Sequence, residues 1–229
     1  MTEQSQETAC RRMAYWLLVV LLAFDVLLIV LSVIWRNPDQ LAGKSAFALG
    51  PPWSIPSIYI YLKWVVASLV LAIAARKHGE KWLGLAALVF LILLIDDSGE
   101  IHESIGRAIG PLLPFENAYY LRAQDYASLI GMALLAFLVF GTLALSHQSS
   151  PPKARIWPRR LVYLILSLAF FGVVMDLLHG IVRQSGRGGS WNLLEVVAIL
   201  EDGGEMMVAS VLLVVAVFMS RLPKEIVQT

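Results

Sequence analysis

The sequence predicts an all-α integral membrane bundle of six transmembrane helices with both termini cytoplasmic. Three observations carry that expectation. Hydrophobic residues make up 58 % of the 229 positions and charged residues only 15 %, and the mean hydropathy of +0.71 is far from that of soluble domains. Six apolar runs approach the roughly 20 residues that a helix needs to cross a bilayer core. Basic residues gather at alternate ends of those runs, as orientation by cytoplasmic Lys and Arg requires.

The runs fall at about 13–35, 58–75, 82–102, 126–146, 161–181 and 201–220, and together they make residues 1–229 a single transmembrane domain. The first follows Arg11 and Arg12 and has no small-residue cleavage site behind it, so it reads as a retained anchor. It carries one acid, Asp25. The second contains Lys63, which is expected to snorkel outward along its aliphatic stem. The third has fourteen uninterrupted apolar residues, Trp82 to Ile95, before Asp96-Asp97-Ser98-Gly99-Glu100-Ile101-His102-Glu103. Fourteen is too few to cross, so the helix must take acids into the membrane. The fourth is purely apolar, and Asp125 just ahead of it reads as a solvated helix-end charge. Asp176 and His179 interrupt the fifth. The sixth repeats the defect of the third, with Glu201-Asp202-Gly203-Gly204-Glu205 ahead of the fifteen residues Met206 to Ser220.

With the amino terminus inside, eleven basic residues lie on the cytoplasmic side: Arg11, Arg12, Arg76, Lys77, Lys81, Lys153, Arg155, Arg159, Arg160, Arg221 and Lys224. Six lie outside, namely Arg36, Lys44, Arg107, Arg122, Arg183 and Arg187. Ser149-Ser150-Pro151-Pro152 then links two three-helix halves on the cytoplasmic side. Trp16, Trp82 and Trp157 are placed at the inner interface, and Trp35, Trp53 and Trp191 at the outer one, as aromatic belts. The 18 Lys and Arg nearly cancel the 17 Asp and Glu, which removes the basic footprint of a nucleic-acid binder. The single cysteine, Cys10, excludes an internal disulfide and any multi-thiolate metal site.

The intramembrane charges share a depth. With a rise of about 1.5 Å per residue from the cytoplasmic ends, Asp96, Asp176 and Glu205 lie ~21–22 Å in, and Glu100, His179 and Glu201 ~27–28 Å, with Asp25 at ~18 Å. Helical periodicity puts Asp96, Glu100 and Glu103 on one face, and Asp176, His179 and Arg183 on another. Glu201 and Glu205 are one turn apart. Asp97, His102 and Asp202 sit off those faces, and Gly172 and Gly180 permit close approach beside Asp176. Two antiparallel helices with matching acid-x-x-x-Glu pairs would face each other, Glu100 across from Glu205.

So many acids in a low-dielectric site require positive compensation. A metal ion is the first expectation, with Asp96, Glu100, His102, Glu103, Asp176, His179, Glu201 and Glu205 as ligands and Asp25, Asp97, Arg183 and Asp202 lining the site. Carboxylates with imidazoles favour Fe, Mn or Zn, and an all-oxygen set Ca or Mg. The Asp176-x-x-His179 spacing is analogous to the Glu-x-x-His element of dinuclear carboxylate bundles. The use would be an oxidase or hydrolase acting on a small-molecule, lipid-soluble or interfacial substrate. The alternatives are a proton- or cation-binding transporter or channel, with the acids as an outer vestibule, and a structural or sensory subunit. The combination Asp96-Asp97-x-x-Glu100-x-His102-Glu103 with Glu201-Asp202-x-x-Glu205 resembles motifs of small multi-pass bacterial membrane proteins whose activities are unassigned. That resemblance implies a bacterial inner membrane and no particular reaction.

Overall fold

A computed structural model describes residues 3–35, 46–114, 117–118, 121–184 and 191–222. Arg36, Lys44, Arg187 and Lys224 lie outside the described residues, as do the side chains of Cys10 and Trp191. The architecture is all-α, and six stretches are long and apolar enough to cross a membrane: Arg11–Ile34, Ile55–His78, Lys81–Gly99, Ala123–Ser149, Ile156–Gln184 and Leu193–Ser220.

Helix α1 (Glu3–Ile34) contains the first span. Helix α2 (Ile55–His78) starts where Ser54 accepts the Ser57 N–H and Pro56 occupies the first turn, positions that suit a hydroxyl cap and a residue without an N–H. It stops at Gly79, whose φ of +73° lets its N–H reach the Ala75 carbonyl. Helix α3 (Lys81–Gly99) ends earlier than the sequence predicts. Glu100 turns left-handed at φ +46°, and a separate amphipathic helix, α4 (Ile101–Ile109), follows. A short 3-10 turn (Gly110–Leu112) and a two-residue antiparallel ladder, β1 (Asn117–Ala118) with β2 (Leu121–Arg122), lead into α5 (Ala123–Ser149). The fifth span is α6 (Ile156–Ala169), a π-helical turn (Phe170–Met175) and α7 (Asp176–Gln184) in succession. Helix α8 (Trp191–Ser220) closes the bundle.

Helix α2 is the hub, packing against both α3 and α8; α3 packs on α5, α1 on α8, and α4 lies along α5. Ala67, Ala74, Ala86 and Ala87 are buried at the α2–α3 seam, where small side chains bring backbones close. Trp64, Leu71, Leu83, Phe90, Leu143 and Leu161 fill the core around it. Trp82, expected at an interface, is fully buried instead; the Ser146 hydroxyl donates to its carbonyl at 2.9 Å. Trp16, Trp35 and Trp53 do lie exposed. Arg221 donates to the Met13 sulfur, which puts the start of the first span and the end of the last at one end of the bundle.

Lys63 does not snorkel. It is 2 % exposed, donates to Asp25 Oδ1 at 2.6 Å and to the Met206 carbonyl at 2.8 Å, and rests 4.0 Å over the Tyr59 ring. The other Asp25 oxygen accepts from the Ser210 hydroxyl at 2.6 Å. Snorkelling loses because a partner of opposite charge lies within reach on α1, and the pair is fully hydrogen-bonded away from water. Asp25 is therefore part of a clamp between α1, α2 and α8 and not part of the acidic site.

Removing one member of such a pair leaves an uncompensated buried charge. Lys63→Met should cost about 3–5 kcal/mol, and Asp25→Leu combined with Lys63→Met should recover most of it, because the double change removes both charges. Thermal melts in one detergent would show the two single variants well below wild type and the double variant near it.

Candidate functional site

The predicted acids other than Asp25 line a partly open cavity of about 450 Å³ between α2, α3, α5, α6 and α8. A second, of about 290 Å³, adjoins it, with Gly50, Asp176, Arg183, Glu201 and Asp202 lining both. Helices α3 and α8, expected to face each other directly, both pack on α2 instead, and the cavity occupies the space that this leaves.

The break at Glu100 builds one wall. A left-handed Glu costs about 1–2 kcal/mol relative to a helical conformation, and it turns α4 so that His102 comes back to the end of α3. Asp96 Oδ1 then accepts the His102 backbone N–H at 3.1 Å and Oδ2 meets the ring Nδ1 at 2.7 Å. Asp96 thereby satisfies an otherwise orphan donor in the first turn of α4 and fixes the imidazole at the same time. A continuous helix would have kept His102 off the Asp96 face, so its placement corrects the expected grouping. Glu100 and Glu103, expected to share Asp96's face, turn instead to Arg107, each at 3.0 Å.

Helix α4 is seated by glycines. A Cβ on Gly131 of α5 would stand 2.8 Å from the His102 Cα and carbonyl oxygen, and one on Gly110 would stand 2.8 Å from the Gln124 Cα. A Cβ on Gly106 would run into the Ser128 side chain. On the other side, Asp97 is held by α2: the Trp64 indole N–H donates to its carboxylate at 2.7 Å, and the Tyr61 hydroxyl to its backbone carbonyl at 3.1 Å.

The opposite wall comes from α7 and α8. His179 Nδ1 meets Glu201 Oε2 at 2.8 Å. The π turn ahead of α7 is the kind of helix irregularity that recurs at functional sites. Its Gly172 lies against the Glu205 carboxylate, and its Phe171 against Gly204. Gly180 faces Leu121 at ordinary contact distance. No ion pair joins Arg183 to Asp176, although both line the cavity. The charged neighbours of Glu205 are Asp97, Asp202, Glu201 and Asp176, and not Glu100.

Of the eight residues expected to hold a metal, Asp96 thus pairs with His102, His179 with Glu201, and Glu100 and Glu103 with Arg107, whereas Asp176 and Glu205 pair with no described residue. Among the described residues no group of three or more His, Cys, Asp or Glu converges to hold an ion. Four wall residues were not among those the sequence pointed to. Asp125 accepts the Arg122 N–H at 2.8 Å and its guanidinium at 2.7 Å, and both residues line the cavity. The spacing of a capping acid three residues past a helix start was the available signal. Trp64 and Tyr61 carried none, because nothing in sequence tells an indole that donates to an acid from one that fills a core. Below the acids the cavity is apolar, floored by Leu135, Val139, Phe140, Ile165 and Leu168.

The fold and this site define a multi-pass membrane protein with an acid-walled cavity inside its helix bundle. The chain belongs to the family described as a domain of unknown function, DUF8692, which it matches over residues 14–222. No curated protein and no solved structure matches it.

Two outcomes follow from this geometry. Burial opposes protonation of His102, but the hydrogen bond and charge of Asp96, with Glu103 and Asp97 nearby, more than offset it and raise its pKa above 6.5. The pair's contribution to stability is therefore complete below pH 6.5 and lost as pH rises through the raised value. Melting temperatures across that range should fall in the wild type, with this part of the slope absent in His102→Asn. Gly131→Ala should destabilise by about 1–3 kcal/mol, as overpacking against backbone does, and a melt of that variant at neutral pH would show it.

Proposed function

We propose that the protein binds an amphipathic, lipid-soluble molecule in this cavity and transfers protons at its polar end. The observation that carries the reading is the continuity of an acid and imidazole wall with an apolar floor in one cavity. Ion or proton passage has no use for a floor of Leu, Val, Phe and Ile, whereas an acyl or isoprenoid chain does. Each imidazole commits Nδ1 to a carboxylate, which fixes the ring, and His102, which lines this cavity, keeps Nε2 to exchange a proton with a bound head group.

The same arrangement supports a metal-assisted version, the second reading. A histidine whose Nδ1 is held by a carboxylate is oriented to ligate through Nε2, and an ion arriving with substrate would draw on His102 or His179 with the neighbouring acids. Elemental analysis of the purified protein, before and after chelation, separates the two. Stoichiometric Fe, Mn or Zn would favour the metal-assisted form.

Lipid extraction with mass spectrometry tests the amphiphile itself. We expect a specific single-chain or small amphipathic molecule to accompany the purified wild type. It should be lost from Ala136→Trp and Val139→Trp, which fill the floor. A lipid profile identical in all three and equal to that of the surrounding membrane would sink the proposal.

We also propose that the basic end of the bundle faces the cytoplasm of a bacterial inner membrane and the cavity the outer side. In a Cys10→Ser background, an impermeant maleimide applied to intact cells should label Leu112→Cys and spare Lys153→Cys; the reverse pattern would invert the orientation.

A further inference from the structure

We infer that the polar end of this amphiphile is a protonated amine, docked on Glu205, Asp202 and Asp176. The inference rests on the amphiphile reading above and adds the chemistry of the head group.

Nine carboxylates line the larger cavity, against two arginines, Arg122 and Arg183. Six of the nine have donors of their own. Asp96 has His102, Asp97 has Trp64, Glu100 and Glu103 share Arg107, Asp125 has Arg122 and Glu201 has His179. Asp176, Asp202 and Glu205 accept no hydrogen bond from any described residue. Arg183, though it lines the same cavity, forms no ion pair with them among the described residues.

Glu205 is the informative member. It is partly buried and lines the cavity, and Gly172 on the π turn leaves its carboxylate room that any larger residue would take. It sits one helical turn from Glu201, on the stretch of α8 that also carries Asp202. An unpartnered carboxylate inside a bundle requires a cation or a proton. A proton answers the charge but makes no use of the apolar floor, and among the described residues no group of three or more His, Cys, Asp or Glu converges for a metal ion. A primary ammonium brings one charge and three N–H donors, so it can hydrogen-bond Glu205 while the charges of Asp202 and Asp176 attract it from further off, without the three converging on one point. Anionic heads meet nine acids and are repelled.

Size narrows the guest further. At ~30 Å³ per water-sized group, a cavity of about 450 Å³ takes roughly fifteen heavy atoms, which is an amine head with most of one chain. A second chain would have to lie outside it.

The test uses the full chain in lipid nanodiscs and four photoreactive probes that share one dodecyl chain with a diazirine. Their heads are primary amine, trimethylammonium, alcohol and sulfate, and labelled peptides are mapped by mass spectrometry to residues 132–140 and 165–173. We expect the amine to label these walls about tenfold more strongly than the alcohol, which corresponds to about 1.4 kcal/mol, and the sulfate least. Glu205→Gln and, separately, Asp202→Asn should remove most of the amine's advantage while alcohol labelling persists, which also reports an intact cavity. Equal labelling by amine and alcohol, or an amine advantage that survives both substitutions, would overturn the amine assignment and leave the amphiphile reading standing. A trimethylammonium probe that matches the amine would overturn the hydrogen-bonding part, since that head has no donors. Absence of wall labelling by every probe would instead remove the amphiphile reading and this inference with it.

Discussion

One turn of α2 organises the molecule, because a bilayer core offers no water to a buried polar group and each must find its partner in protein. Tyr61, Lys63 and Trp64 point to three neighbours. Tyr61 and Trp64, three residues apart and so on adjacent positions of one face, both reach Asp97 and tie α2 to α3. Lys63, between them, reaches Asp25 on α1 and the Met206 carbonyl on α8. Few residues of the first span are buried, so its association with the bundle leans on this polar clamp more than on area. The clamp also takes hold of α8 at the residue after Glu205, which sets how the acids of α8 face the cavity.

The same scarcity of water explains the strained Glu100. A helix continuing from α3 would have carried Asp96, Glu100 and Glu103 together on one face, three carboxylates with Arg107 as the single cation among them. The left-handed break separates them. Asp96 turns inward to His102, while Glu100 and Glu103 turn to Arg107. The conformational cost at one residue is offset by satisfied partners at three, and the glycines at 106, 110 and 131 allow α4 to lie close enough to α5 for the arrangement to hold.

The fold was legible in the sequence to the extent that hydropathy dictates it. All six spans lie where the apolar runs lie, and the purely apolar fourth needed no correction beyond its ends, Ala123 and Ser149. Corrections concentrate where the chain departs from regular helix. Periodicity assumes continuity, so it placed His102 off the Asp96 face, and it could not foresee the π turn at Phe170–Met175 that sets Gly172 against Glu205. Lys63 was misread for a different reason. Depth along a single helix favours snorkelling, whereas pairing with Asp25 depends on which helices become neighbours, and that information is not local. The common depth of Asp96, Asp176, Glu201 and Glu205 did anticipate that they line one cavity. It did not anticipate that the acids would divide among separate partners.

That division bears on why the space between α3 and α8 stays open. Both helices are committed to α2, and direct contact between them would press Asp97 of one against Glu201, Asp202 and Glu205 of the other in a medium that screens charge poorly. The paired acids hold the walls by their own hydrogen bonds. The unpaired ones leave a negative surface that only a cation or protons can neutralise. The apolar floor beneath them then decides between guests, since burying a hydrocarbon chain there contributes about 25 cal/mol per Å² of apolar surface removed from water, and a bare ion brings no such surface. Paired walls, an unsatisfied acidic patch and a hydrocarbon floor are therefore three separate constraints on the proposed ligand: shape from the first, charge from the second and hydrophobic length from the third.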